Sequence, residues 1–318
     1  MIFMNYFDLH CDTAYEMYRE KEGLAKNSLA LDLESLDGYE KKAQVFAIWS
    51  DNSKEESQVY GDFFEIFNYL QNEIAENSDK AVLCTDAKTL SEEDGRLKII
   101  PAVEGARLIE KDLSRLAILR EYGVRILTLA WGGENAVCGA YDAESGLTDF
   151  GYEVVKECEK QGIIIDVSHM SEKSFWDFAN VAEKPFLASH SNSFTVCAHP
   201  RNLADTQLRT VISKGGVVGV DFSGNHLAKV FSEKEKAEYS KEFVYDTVVK
   251  HIVHFIEKGS DKNICIGSDF DGVPKLKGLE KASKVALLAE YLENNGAKPE
   301  LIENLFYSNA YNFFMKNL

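Results

Sequence analysis

The 318-residue sequence predicts an α/β fold, a closed (β/α)8 TIM-like barrel, and two observations carry that expectation. Short apolar runs alternate with longer helical patterns along the chain, and about eight of the runs qualify as strands, mostly joined by helical crossovers. An open doubly wound sheet more often has roughly five to seven strands and a glycine-rich phosphate loop after the first. Here that place holds Asp12-Thr13-Ala14-Tyr15. No linker, low-complexity segment or internal repeat interrupts the pattern, so residues 1–318 read as one domain.

The first strand covers residues 7–12, where strict alternation places Asp8, His10 and Asp12 on one face. Residues 43–49 form the next strand, and Glu56–Glu76 an amphipathic helix whose Phe63, Phe64, Phe67 and Leu70 belong to the core. Residues 81–85 make a short extra strand, Leu97–Glu104 a full one, and residues 109–121 a helix. A strand over 124–131 runs into a long glycine-rich loop ending at Leu147. Helix 151–161, strand 162–169, helix 172–182 and strand 185–190 follow in turn. After a loop through Arg201 come helix 205–214 and strand 216–222. The charge run at 229–241 reads as a solvated helix face, or a lid given its place after the seventh strand, and leads into a helix ending near Lys258. Strand 263–269 and helices around 283–294 and 299–315 complete the chain.

Bulk properties narrow the function. A net charge of −17, from 52 acidic against 35 basic residues, argues against nucleic acid and an anionic membrane surface as partners. It leaves room for an anionic substrate held by one well-placed arginine. No basic-then-apolar leader and no apolar run near the roughly 18 residues of a membrane span is read. The six cysteines are scattered without a Cys-x-x-Cys pair, which suggests reduced thiols in a cytoplasmic protein.

Six polar residues end five of the strands: His10 and Asp12, Glu104, His169, His190 and Asp269. The carboxyl ends of barrel strands are where this fold places its active site. Three histidines with two or three carboxylates exceed the needs of one catalytic zinc and suit two divalent ions sharing a carboxylate. Imidazole with carboxylate favours zinc, with manganese, cobalt or iron as substitutes. The alternative is a set of separate histidines, each satisfied by a backbone carbonyl. Asp8 reads as support for a metal ligand. Asp166 has no firm role, since alternation points it away from His169. Cys11 and Cys265 read as packing residues.

These stretches together resemble the membrane (renal) dipeptidase family, in its bacterial-type form, a branch of the binuclear-metal amidohydrolases with the metal-dependent hydrolase type of barrel. The likeness rests on Asp8-Leu-His-Cys-Asp12, Pro101-Ala-Val-Glu-Gly105, Gly146-Leu-Thr-Asp-Phe-Gly151 and Ile165-Asp-Val-Ser-His169. It continues through Ala188-Ser-His-Ser-Asn192, Pro200-Arg-Asn-Leu203 and Gly267-Ser-Asp-Phe-Asp-Gly272. The resemblance implies that His10 and Asp12 bind one metal, His169 and His190 the other, and that Glu104 bridges them. It makes Asp269 the general acid/base and Arg201 the receptor of the substrate's terminal carboxylate. Independently, a guanidinium fork suits bidentate carboxylate binding.

The implied activity is a zinc-dependent dipeptidase, in which a hydroxide bridging the two ions attacks the peptide bond, with C-terminal D-residues within the substrate range. Two departures stand out. Trp131 occupies the place of a substrate-binding histidine in the vertebrate enzyme, which leaves the oxyanion to a metal or to Asn135, and a Gly-Asn-Ala-like motif appears as Ser308-Asn309-Ala310. Trp131 and Asn135 thus join Arg201 as expected substrate contacts. The expected partners are a dipeptide and, as an assembly state open to the chain, a homodimer. Hydrolysis of a cyclic amide, lactone or N-acyl amino acid by the same centre stays open, as does a non-catalytic metal- or peptide-binding barrel. Arg201 discriminates, because carboxylate anchoring matters for dipeptides and not for neutral esters.

Overall fold

Seven parallel strands line one curled sheet, and an eighth flanks it, in the computed structural model, which describes residues 4–232 and 239–318. The strands are β1 (Met4–Cys11), β2 (Tyr39–Trp49), β3 (Ala81–Leu83), β4 (Leu97–Glu104), β5 (Ile126–Thr128), β6 (Ile164–Asp166), β7 (Val218–Val220) and β8 (Ile264–Ile266). They neighbour one another in the order β6-β5-β4-β2-β1-β8-β7. Two parallel bridges, Asp166 to Leu187 and Ala188 to Val218, join the ends of that path, so residues 187–188 act as the eighth stave and the barrel closes. The short extra strand expected near residue 83 is β3, which pairs with the amino-terminal end of β4 beside the barrel path. Among the described residues no helix is long and apolar enough to cross a membrane. Residues 233–238, in the middle of the charge run expected to form a helix face or lid, lie outside the described residues.

Most later strands are shorter than the sequence suggests. The expected strand at 185–190 pairs only through Leu187 and Ala188, and those at 162–169 and 263–269 shrink to three residues each. Their carboxyl ends leave the ladder because buried carboxylates satisfy their amides instead. Oδ1 of Asp166 accepts from the backbone N–H groups of Ser168 and Ser189 at 3.0 and 2.9 Å. Oδ1 of Asp8 does the same for His10 and Ser268 at 3.1 and 2.9 Å. Each aspartate therefore ties two neighbouring strand ends together across the wall. A helix at Thr13–Glu20, unread in the sequence, follows β1 directly.

The wall faces a sheath of helices outside and a filled core inside. Val45, Ala47 and Trp49 stand beside Ile100, Ala102 and Glu104, and side-by-side residues of a parallel pair share a face. Phe7, Val45, Ala47, Ile100, Ala102, Ile126 and Ile164 merge with Phe313 and Phe314 of the last helix into one buried cluster below the site. The segment expected as one helix at 299–315 is interrupted by a π-turn, Asn304–Ser308. Asn309 just beyond it donates to the carbonyls of Asp261 and Ile264 at 2.8 and 2.7 Å, which gives the Ser308-Asn309-Ala310 motif a role in seating β8. Phe63 and Phe67 are buried and Phe64 packs partly against them, as expected, and all six cysteines are free and buried.

Closure demands two glycines. A Cβ added at Gly219 or Gly267 would meet the Ser189 carbonyl oxygen at 1.9 or 1.8 Å. Backbone cannot yield as a side-chain tip can, so Gly267→Ala is expected to lower the unfolding free energy by roughly 3 kcal/mol or more. A urea midpoint equal to that of the parent protein would overturn this.

Candidate metal centre

The centre begins with an irregularity in β1. Asp8 pairs with Gln44 but Cys11 pairs with Phe46, so β1 advances three residues while β2 advances two. Gln44 faces away from the barrel interior, because its neighbours Val45, Ala47 and Trp49 share the face of Glu104. Asp8 lies on that outer face and accepts a hydrogen bond from Tyr6 Oη, which also reaches Gln44. His10, one slip later, turns inward to within 3.6 Å of Glu104. The expectation that Asp8, His10 and Asp12 share a face therefore fails, because the slip works as a bulge that re-aims the side chains after it.

His169 and Asp269 enter the site by a different device. Both have left-handed backbones, with φ of +70° and +60°, beyond the ends of β6 and β8. Such positions cost of the order of 1–3 kcal/mol for a non-glycine residue and persist where the surroundings enforce them. This also places Asp166. It shares a face with Glu104 through the pairing of Glu104, Thr128 and Asp166, so it points inward together with His169. The alternation rule separated the two residues only because it does not hold beyond the ladder.

The inward groups converge. Oε1 of Glu104 lies 3.0 Å from Nε2 of His169, 3.3 Å from that of His190 and 3.6 Å from that of His10. Oδ2 of Asp12 and Oδ1 of Asp269 approach Nε2 of His10 at 3.6 and 3.8 Å. Glu104 thus stands between one set formed with His169 and His190 and another formed by His10, Asp12 and Asp269.

The proton inventory shows what these groups fit. Nδ1 of His169 meets the Trp131 carbonyl at 2.7 Å and must donate to it. Ser189 Oγ donates to Asp166 at 2.5 Å, so it can only accept from Nδ1 of His190, 2.7 Å away. Both rings therefore turn lone pairs inward, and their Nε2 atoms sit 2.9 Å apart facing a carboxylate. His10 Nε2, Asp12 Oδ1 and Glu104 Oε1 are buried with no hydrogen-bond partner. The inward lone pairs of His169 and His190 crowded against the Glu104 carboxylate repel one another unless a cation lies among them, so this donor set fits divalent metal.

Charge balance points the same way. Burial opposes protonation of His10, yet Glu104, Asp12 and Asp269 outweigh it and carry its pKa up to about 10. Burial pushes the carboxyls of Glu104 and Asp12 up, and pushes Asp269 well above the ordinary range with Asp221 adding to the effect. His169 and His190 are held neutral, first by burial and then by nearby positive charge.

A family model described as membrane dipeptidase (peptidase family M19) matches residues 2–316. The chain belongs to the membrane dipeptidase family. An uncharacterised dipeptidase of Schizosaccharomyces pombe is 32% identical over 252 residues, which cover 76% of this chain and 58% of that protein. The solved structure of dipeptidase AC, a metallopeptidase of family M19, is 25% identical with a TM-score of 0.88, over 99% of this chain and 98% of that one. A metallopeptidase from Rhodobacter sphaeroides, solved with a phosphinate mimic of the dipeptide L-Ala-D-Ala, has the same fold at 24% identity and a TM-score of 0.90, over 99% and 100% of the two chains. Family and relatives make the protein a hydrolase acting on dipeptides, in a family whose metallopeptidases use divalent ions.

The remaining site residues of this dipeptidase separate clearly. Arg201, only 5% exposed, reaches the rim of the centre, where Nη2 donates to the His190 carbonyl at 3.3 Å and Nε has no partner. With His169, Tyr141, Phe175 and Phe194 it lines a cleft of about 470 Å³. Trp131 stacks its indole 6.2 Å from the His169 ring and 4.8 Å from Trp49. Asn135 is not brought to the centre. Its Nδ2 donates to Leu129 O at 2.8 Å, and its Oδ1 accepts from the amides of Val137 and Cys138 at 2.7 and 2.9 Å, so its carboxamide holds its own loop. Trp49 was missed in the sequence, although it ends β2 as Glu104 ends β4. An aromatic residue at a strand end reads as core, so the usual signal for a site residue is missing there.

Proposed function

We propose that this protein hydrolyses dipeptides at a two-metal centre, with His10 and Asp12 on one ion, His169 and His190 on the other, and Glu104 shared. Imidazole and carboxylate donors favour zinc. Ions held there would supply Lewis acidity and lower the pKa of water. The chain's own groups do the rest. Asp269, whose burial favours the protonated form, takes a proton at its carboxylate from the attacking water and returns it to the leaving nitrogen. Trp131 stacks beside the His169 ring and Trp49 packs against Trp131, so the two aromatic rings form an apolar flank to the His169 side of the centre.

Arg201 carries the assignment of substrate. Its charge is buried, and among the described residues no carboxylate pairs with it. Leaving a buried cation unpaired is costly, so the position suits an anionic ligand, here the terminal carboxylate of a dipeptide. A longer peptide carries a neutral amide at that point and loses the interaction. The phosphinate mimic of L-Ala-D-Ala held by the Rhodobacter relative supports a D-residue at the second position. The six free cysteines support a cytoplasmic setting.

Metal analysis with a panel of L,L- and L,D-dipeptides on one preparation tests the reading. Hydrolysis of dipeptides but not tripeptides by protein carrying two ions per chain is expected, and metal-replete protein with no dipeptide turnover would refute it. Arg201→Ala is expected to raise KM for dipeptides roughly 100-fold. It should hardly change KM for a neutral ester, and equal effects on both would remove Arg201 from carboxylate binding.

A further inference from the structure

The stretch Gly267-Ser-Asp-Phe-Asp-Gly272 ends in two residues that the hydrolysis above does not use. Gly272 closes the turn beyond β8, and its backbone lies against both carboxylates beside His10. A Cβ added there would meet Asp12 Oδ2 at 2.1 Å and Asp269 Oδ1 at 2.5 Å. These same two atoms stand 3.6 and 3.8 Å from His10 Nε2. Gly272 is exposed, and its φ lies outside the left-handed region. Neither the core nor φ therefore bars a side chain at this position. Only the contact with the two carboxylates calls for glycine.

The turn is held from behind. Asp271 anchors it, with Oδ1 accepting from the backbone N–H of Ala30 and Oδ2 from Thr13 Oγ1, each at 2.6 Å. The Gly272 N–H donates to the Asp269 carbonyl at 3.2 Å, and the Phe270 N–H to Ser268 Oγ at 3.2 Å. The Asp12 N–H donates to the Phe270 carbonyl at 2.8 Å. Thr13 follows Asp12 directly, so one set of bonds ties the ends of β1 and β8 together. Asp271 is left-handed like Asp269, at a φ of +69°, a conformation that such a closed set of bonds enforces. With backbone pinned on one side and carboxylate tips on the other, an added methyl group moves the tips.

We propose that Gly272 is a positioning residue for the centre. Its bare Cα sets where the carboxylates of Asp12 and Asp269 stand beside His10, and a side chain at 272 costs the protein the ion assigned to His10 and Asp12. This rests on the two-metal reading and deepens it. Carbon and oxygen settle at roughly 3.3 Å or more, so Asp12 Oδ2 would have to move by about 1 Å. Coordination distances hold to within about 0.2 Å, a far smaller margin. His169 and His190 form their set with Glu104, away from the turn, and keep their ion.

Metal analysis of Gly272→Ala is expected to find one tightly held ion per chain where the parent holds two. The rate constant kcat/KM for Ala–Ala should fall by about 10²-fold or more, as a displacement of this size implies. Adding Asp12→Asn to Gly272→Ala should remove no further metal, because both substitutions empty the same position. Urea midpoints of the metal-free variant and the metal-free parent are expected to coincide, which separates placement of ligands from folding. Gly38→Ala is the control, at an exposed glycine whose Cβ would meet nothing within 4 Å, and should match the parent throughout. With two ions on the parent, the inference is overturned by two tightly held ions in Gly272→Ala, by loss of both, by further loss on adding Asp12→Asn, or by a less stable metal-free variant. Each of these leaves the two-metal reading intact. A parent protein that binds fewer than two ions overturns both.

Discussion

Glu104→Ala is expected to lower kcat/KM for a dipeptide by at least about 10³-fold and to reduce bound divalent metal from two ions per chain to one or none. The size of the effect follows from geometry. Glu104 Oε1 lies within 3.6 Å of Nε2 of His10, His169 and His190 alike. Without it, the set of His169 and His190 has no carboxylate between them, and Asp12 and Asp269 stand only beside His10, which is too little negative charge in the right place to hold two dications. Glu104→Gln keeps the volume and should fail nearly as badly, because an amide replaces a charged bridging oxygen with a donor. Metal analysis of the purified variants, with steady-state rates, checks both. Two tightly held ions and parent-like turnover in Glu104→Ala would remove it from the bridge.

Asp269→Asn is expected to separate proton transfer from metal binding. It preserves shape, so both ions should stay while kcat falls by about 10²–10⁴-fold with little change in KM. Asp269 also stands 3.8 Å from His10 Nε2. That gives the experiment a second use. Loss of one ion in Asp269→Asn would show that it acts as a ligand, and unchanged kcat with both ions bound would show that another group moves the proton.

How much was legible depended on whether a rule of sequence stayed inside the ladder. The helical and strand patterns predicted a closed barrel, and the residues ending its strands were read as one constellation. Asp12, His169, His190 and Asp269 do converge on Glu104 and His10. Asn135 did not follow, because its carboxamide serves the turn it sits in, a local competition that residue type alone does not reveal. Trp49 was passed over for the opposite reason. It looks ordinary in the sequence and takes its meaning from its neighbours Tyr15 and Trp131 on other segments.

The sequence by itself determined the order of the strands, the polar residues ending five of them, and a centre rich in histidine and carboxylate. Only the tertiary structure decided which way those residues face. Within a strand, alternation is a local consequence of backbone geometry and can be read from spacing. Past the ladder, direction is set by the slip between Asp8 and Cys11 and by the left-handed turns at His169 and Asp269. These are held by carboxylates that bond amides far along the chain, Asp166 to Ser189 and Asp8 to Ser268, and such contacts exist only once the barrel has closed.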